Sequence, residues 1–172
     1  MRVLRVVLGT TFLFGAQEAW ARIDVRPFDV SAAQGTTHLP AAMGEALARV
    51  VSNEIERRGF PADRRLVVRG ALVQAGVSNA GLRGPGAALR QQTVEVLLAI
   101  RLIDPETGEI VAAFDAPGSA SEVGADVDFV RALISVERND DDWRRSPMGL
   151  AIHRAALRVA EEAAQWSELE EP

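Results

Sequence analysis

The side chains that most often carry chemistry are scarce in this sequence. It has no cysteine and two histidines, His38 and His153. Neither histidine belongs to an H-x-x-x-H or H-E-x-x-H run, which is the spacing that brings two zinc ligands onto one face of a helix. The esterase motif G-x-S-x-G is also absent. The sequence therefore predicts no catalytic residue, no metal site and no enzymatic activity, and it places His153 on a helix surface.

Two short runs resemble ligand loops without having their essential residues. Residues 81–86 read GLRGPG, but they lack the G-K-[ST] ending of a phosphate loop, and Pro85 has no backbone N–H to offer. Residues 140–142 are three consecutive aspartates, without the alternating ligands and central glycine of a calcium loop. The first run predicts a surface loop and the second a solvated charge run, so no cofactor is expected.

The N-terminus has the order of a secretory signal peptide. Arg2 and Arg5 precede an uncharged, mostly apolar run over 6–15, and Ala19 and Ala21 place small residues before a cleavage site. The apolar run is shorter than the ~20 residues that span a bilayer. The prediction is a signal peptide over 1–21, cleaved near Ala21, and one periplasmic or secreted domain over 22–172.

Composition limits the partners of that domain. Without a cysteine, neither an acyl anchor nor a disulfide is expected. The whole sequence has a net charge of −5, which argues against non-specific nucleic-acid binding. No second apolar stretch approaches the length of a transmembrane helix. The expected partners are therefore other envelope proteins, or further copies of the chain in a homo-oligomer.

Two segments carry residues that typically begin or end a long helix. Residues 39–58 carry apolar side chains at helical spacing, and Gly59 followed by Pro61 marks the end of that helix. Ser146 and Pro147 provide an N-cap and a first-turn proline for a second helix. Together with strands elsewhere, these helices predict an α+β fold.

The strand pattern completes that fold class. Strands are predicted over 22–30, 66–77, 92–104 and 110–114, with turn chemistry (DPETGE) over 104–109. The second strand is apolar on both faces, which predicts that it is covered on both sides. Residues 78–90 are predicted to form a loop, and a short helix is expected within 116–145. The architecture is a two-layer αβ sandwich, with a mainly antiparallel sheet of three to four strands and two long helices packed on it.

Three passages resemble the curli assembly/transport component (CsgG-like) family of periplasmic domains. They are V-x-P-F over residues 25–28, V-x-G over 68–70 with the later D-x-x-T-G-E turn, and S-P-M-G-x-A-I over 146–152. The chain is also similar to TolB N-terminal domains and to the lipoprotein activators of penicillin-binding proteins. The resemblance implies a single CsgG-like αβ domain that works in the cell envelope, in curli assembly or secretion at the outer membrane.

The favoured function is that of a non-catalytic envelope accessory protein. It would act by protein–protein contacts in secretion, surface-polymer export or cell-wall assembly. The candidate partner contacts are Leu82 and Leu89 in the predicted loop, and Trp143 beside the acidic run. The alternative is a subunit of an oligomeric outer-membrane curli-type secretion channel. A secreted hydrolase without a recognised motif is the third hypothesis.

Overall fold

A computed structural model describes residues 23–34, 39, 42–60, 65–84, 87–123, 143 and 145–169, with backbone alone at 81–84, 87–90 and 167–169. The signal peptide, His38, residues 140–142 and most of 116–145 lie outside these ranges. Four strands and two helices follow one another as β1 (Ile23–Val25), α1 (Ala42–Arg58), β2 (Leu66–Gly84), β3 (Ala87–Ile103), β4 (Ile110–Val123) and α2 (Pro147–Leu169). The α+β prediction is confirmed.

The four strands form one mixed sheet in the order β1-β2-β3-β4. β1 is parallel to β2, and the chain returns through α1 between them. β2, β3 and β4 are consecutive antiparallel neighbours. The sheet is therefore mainly antiparallel, as the sequence predicts. The turn between β3 and β4 is also confirmed: the Asp104 carboxylate accepts hydrogen bonds from the N–H groups of Glu106 and Thr107, and Gly108 has a φ of 74°.

Both helices pack on the same face of the sheet, which buries alternate residues of β3. The apolar side chains at this interface are almost fully buried: Leu66, Val68, Leu72, Val94, Val96, Leu98, Ile100 and Leu102 from the sheet, with Met43, Leu47, Val51, Ile55, Met148, Ile152 and Val159 from the helices. On the opposite face, Arg69, Glu95 and Arg101 are exposed and Val67 is half-buried. The expectation that β2 is covered on both sides was therefore wrong. Its apolar run reflects small and aliphatic residues on a half-exposed face.

The helix ends agree with the sequence signals. Gly59 follows α1 with a φ of 72°, the left-handed conformation that glycine adopts without steric cost. At the start of α2, the Gly149 N–H donates to Ser146 Oγ at 3.0 Å. That bond satisfies one of the first-turn N–H groups that the helix itself leaves without a partner. Pro147 is the first residue of the helix.

α2 lies close to β4 because the residues between them are small. Five of its buried residues are alanines, and β4 presents Ala116, Gly118 and Ala120 to the helix. A Cβ atom added at Gly118 would lie 2.8 Å from the Ala155 nitrogen and closer still to the Ala151 carbonyl oxygen. Such close packing replaces side-chain interdigitation with direct contact between backbones.

The largest difference from the sequence prediction concerns residues 78–90. The predicted loop is the end of a long hairpin, because β2 and β3 stay paired up to Gly84 and Ala87. β4 likewise runs to Val123 rather than stopping at Phe114. Glycine and proline mark turns on average, but a ladder of backbone hydrogen bonds tolerates glycine when the partner strand is in register. No helix among the described residues is long and apolar enough to cross a membrane.

The two helices also meet through a buried carboxylate. Glu54 of α1 is 6 % exposed. Its Oε1 accepts a hydrogen bond from Arg57 Nη1 at 3.0 Å and lies 3.4 Å from His153 Nδ1 of α2. The prediction that His153 is on the helix surface agrees with its 40 % side-chain exposure, but the contact with Glu54 was not predicted.

We expect either partner of Glu54 to be dispensable on its own. His153→Ala and Arg57→Ala should each cost less than about 1 kcal/mol in the free energy of unfolding, because both side chains are exposed and the other partner remains. The double variant should cost clearly more than the sum, since it leaves a buried carboxylate without a cationic partner. Urea unfolding of the four proteins measures this coupling. A large loss from His153→Ala alone would contradict it.

Candidate interaction surface

The β2–β3 hairpin extends beyond the helical layer. Among the residues whose side chains are described, the last buried ones along the strands are Ala75 on β2, Gln92 on β3 and Ala120 on β4. Further along β2, Ser78, Asn79 and Ala80 are exposed. Residues 78–84 alone span about 24 Å at about 3.4 Å per residue. We call the paired segments 76–84 and 87–95 the ribbon.

Within the described part of the chain, the outer half of the ribbon consists of two strands. β4 pairs with β3 as far as Gln91, which lies opposite Val123. Residues 81–84 and 87–90 therefore pair with each other alone among the described strands. Within this tip the register places Leu82 directly opposite Leu89. The register thus places two of the three candidate contact residues opposite each other, near the end of the β2–β3 hairpin.

Trp143, the third candidate, lies in a different environment. It is 3 % exposed and belongs to the hydrophobic core. Its carbonyl oxygen accepts hydrogen bonds from the N–H and Oγ of Ser146, at 3.0 and 2.6 Å. A Cβ atom added at Gly149 would lie 2.6 Å from the indole ring, so the first turn of α2 packs directly on it. This burial does not agree with a surface contact at Trp143: the residue anchors the start of α2.

The segment after β1 covers part of the outer edge of β2. Five backbone hydrogen bonds connect residues 26–34 to β2, at 2.8–3.1 Å, and the last of them joins the Ala75 N–H to the Gln34 carbonyl. The sequence prediction of one strand over 22–30 is thus replaced by a three-residue strand and two isolated bridges, at Asp29 and Gln34. Among the described residues, none pairs with this edge beyond Ala75.

Asp29 stabilises the turn that keeps this segment against the sheet. Its Oδ1 accepts hydrogen bonds from the Ser31 hydroxyl at 2.7 Å and from the Ser31 N–H at 2.9 Å. The hydroxyl first and the N–H second lower the pKa of the Asp29 carboxyl below its usual value, because both bonds favour the charged form. The carboxylate is solvent-exposed, so its role is local.

The other edge of the sheet, β4, is protected against further strand pairing. Pro117 lies in its middle and is exposed, and Asp115 and Glu122 are exposed on either side of it. Proline removes a backbone donor, and charged side chains disfavour a second strand. The two edges therefore differ within the described part of the chain: the β4 edge carries a proline and two acidic residues, whereas the β2 edge has no paired strand from residue 76 onward.

The described residues contain no group of three or more histidine, aspartate and glutamate side chains that could hold a metal ion. The polar clusters that they do contain, such as Glu54 with Arg57 and His153, join structural elements to each other. The surface with the most distinctive geometry is therefore the ribbon, which extends two paired strands away from the core.

Comparison with known proteins gives matches only among solved structures. No protein-family model matches the sequence, and no curated protein matches it. A hypothetical protein from Chlamydia trachomatis is 11 % identical with a TM-score of 0.53, over 86 % of this chain and 98 % of that one. A chain from Helicobacter pylori, provisionally described as a homolog of neuraminyllactose-binding hemagglutinin, is 13 % identical with a TM-score of 0.50, over 86 % of this chain and 90 % of that one.

A third similar chain, from Caulobacter crescentus, is provisionally described as a lipoprotein. It is 18 % identical with a TM-score of 0.44, over 82 % of this chain and 92 % of that one. The first two matches, with TM-scores of at least 0.50, show a shared fold, and at these identities they show nothing about activity. None of the three is described as a curli component, so the comparisons lend no support to the curli-specific part of the sequence resemblance.

Proposed function

We propose that this protein is a non-catalytic accessory factor of the bacterial cell envelope, which acts by binding other envelope proteins through the tip of its ribbon. The location is supported by the signal-peptide pattern over residues 1–21. The mode of action is supported chiefly by one observation: β2 and β3 continue as a pair well past the helices that pack on the sheet. A domain needs no such extension to complete its core.

The ribbon is suited to recognition for two reasons. It is held at its base by the packed sheet, so its position relative to the domain is defined. Its tip is paired only with itself among the described strands and carries Leu82 opposite Leu89, two residues of the type that anchors small apolar contacts. Paired strands bind a partner with less loss of conformational entropy than a disordered loop would.

The test removes the tip and leaves the sheet intact. Deletion of 81–84 and 87–90, with Asn-Gly in place of Pro85 and Gly86, joins Ala80 to Gln91 through a two-residue turn, and these two residues already face each other. Every pair between β3 and β4 remains. Because an isolated two-stranded ribbon contributes little stability, we expect the melting temperature to change by less than about 2 °C.

In cells that lack the native protein, we expect the trimmed variant to accumulate in the envelope fraction but to fail in restoring the deletion phenotype. It should also lose the in vivo crosslinks of the full-length chain. The double variant Leu82→Ser/Leu89→Ser, which keeps the hairpin length, should fail in the same way. Full complementation by a folded, trimmed protein would overturn the proposal. Full complementation by the serine variant would show that Leu82 and Leu89 do not contribute to partner binding.

A further inference from the structure

The outer edge of β2 changes its set of free backbone groups at a β-bulge. Before Val73, the residues of β2 whose backbone groups form hydrogen bonds with the segment 26–34 are Val68, Gly70 and Leu72. The register shift between Leu72 and Gln74 moves these bonds to Val73 and Ala75. Because backbone groups alternate in direction along a strand, the outward N–H and C=O groups beyond Ala75 belong to residues 77, 79, 81 and 83. The even residues bond to β3.

We propose that this edge, residues 76–84 of β2, pairs antiparallel with the same edge of a second copy of the chain, about a two-fold axis at Ala80. The proposal goes beyond the function proposed above, since it needs no envelope partner and does not use the leucines of the tip. Its product is a dimer in which the two sheets join into one.

The segment matches itself under this symmetry. With Ala80 opposite Ala80 of the second copy, residue 79 faces 81 and residue 77 faces 83, so the outward groups of each strand meet outward groups of the other. Four such pairs give about eight backbone hydrogen bonds. This register also uses the whole length of β2 that the described residues leave without an edge partner, which a shifted register would not.

Charge and side-chain size favour a second copy as the occupant. Between Gly76 and Gly84 the only charged residue is Arg83, and the symmetry places it opposite Val77 instead of another arginine. Glycine or alanine also occupies positions 76, 80, 81 and 84, so little bulk opposes the approach of two ribbons. The proline and acidic residues that protect β4 have no counterpart here.

The absence of cysteine from the sequence makes the test specific. In Ala80→Cys the two thiols of the dimer would face each other at a pair without hydrogen bonds between the copies. The Cα atoms of such pairs are about 4.5 Å apart, within the range that a disulfide bridges. We expect copper-catalysed oxidation of the purified protein to convert most of it to a disulfide-linked dimer on a non-reducing gel. Glu122→Cys, which is also exposed but lies on β4, should form no disulfide between copies and should run as a single chain on the same gel.

Sedimentation of the cysteine-free protein gives an independent measurement. At about 100 μM, where a dimer with a micromolar Kd is almost fully formed, we expect the mass of two chains. Asn79→Pro removes an outward N–H and no bond to β3, so it should sediment as a folded monomer. In the Ala80→Cys background it should abolish the crosslink.

A monomeric wild-type protein at that concentration would overturn the proposal, as would equal crosslinking of the two cysteine variants. Because these measurements use purified protein alone, they leave the tip contact with envelope proteins untouched. If the wild-type protein is a monomer and still loses function when the tip is trimmed, the dimer proposal is wrong and the proposed contact with envelope proteins stands.

Discussion

Leu98→Asp should abolish folding of this domain. Leu98 is fully buried at the centre of β3, on the face that both helices cover. An aspartate there would be ionised without a partner or would have to take up a proton, and either state costs several kcal/mol, about as much as the whole stability of a small domain. Circular dichroism and a thermal melt of the variant should show loss of the cooperative transition.

Leu97→Asp is the matched control, since it introduces the same side chain one residue earlier. Leu97 is only half-buried and lies on the opposite face, across from Pro117 of β4. The aspartate would remain in contact with water, so the loss should stay below about 1 kcal/mol. Equal damage from both variants would show that a second layer covers this face, and the two-layer architecture would then be wrong.

Gly118→Ala is expected to destabilise the domain strongly although it adds a single methyl group. The new Cβ would overlap the Ala151 carbonyl oxygen and lie 2.8 Å from the Ala155 nitrogen. Both atoms belong to the backbone of α2, so no side chain can rotate away and the helix itself must move. Overpacking of this kind costs about 3 kcal/mol, which urea unfolding resolves easily.

Gly76→Ala provides the comparison for Gly118→Ala. Gly76 is also in a strand, and a Cβ atom at this position meets no atom within 4 Å. The substitution should be neutral or stabilise the protein by about 0.5 kcal/mol, because alanine loses less conformational entropy in a strand than glycine. A similar loss at both sites would mean that strand glycines are needed for backbone conformation, and the close contact of α2 with β4 would not be the cause.

Much of the fold could be predicted because its signals are local. The ends of the helices are marked by residues such as Gly59 and Ser146, whose side chains or conformations act within one turn of the chain. The hairpin turn over 104–109 is likewise encoded by its own residues. The alternation along β3 identifies the buried face because one side of the sheet meets the helices and the other does not.

The ribbon could not be predicted in the same way. Residues 81–84 and 87–90 gain their extended structure from pairing with each other. Their hydrophobic pattern does not alternate in the way that would indicate a strand. Glycine and proline in this stretch have the composition of a loop. The close approach at Gly118 also depends on a distant element, although one signal was present: small residues at 116, 118 and 120 repeat with the period of a strand.

The position of Trp143 shows a third limit of sequence reasoning. A large aromatic residue beside a charged run suggests a contact surface, whereas here the ring closes the end of the core under α2. Whether an aromatic residue is exposed or buried depends on which elements pack against it in the fold, and here the start of α2 packs against Trp143. The cap at Ser146 was visible in the sequence, but its hydrogen bonds to Trp143 were not.

The place of α2 in the chain has a consequence for how the protein reaches its folded state. This helix follows all the described strands in the order of synthesis, yet it supplies Met148, Ile152, Val159 and five alanines to the core. Until it emerges, the inner faces of β3 and β4 lack the cover that it gives them. We therefore expect the core to close only after α2 has been made. This order would suit the export proposed above, because a chain that has not yet closed can still pass through a narrow channel.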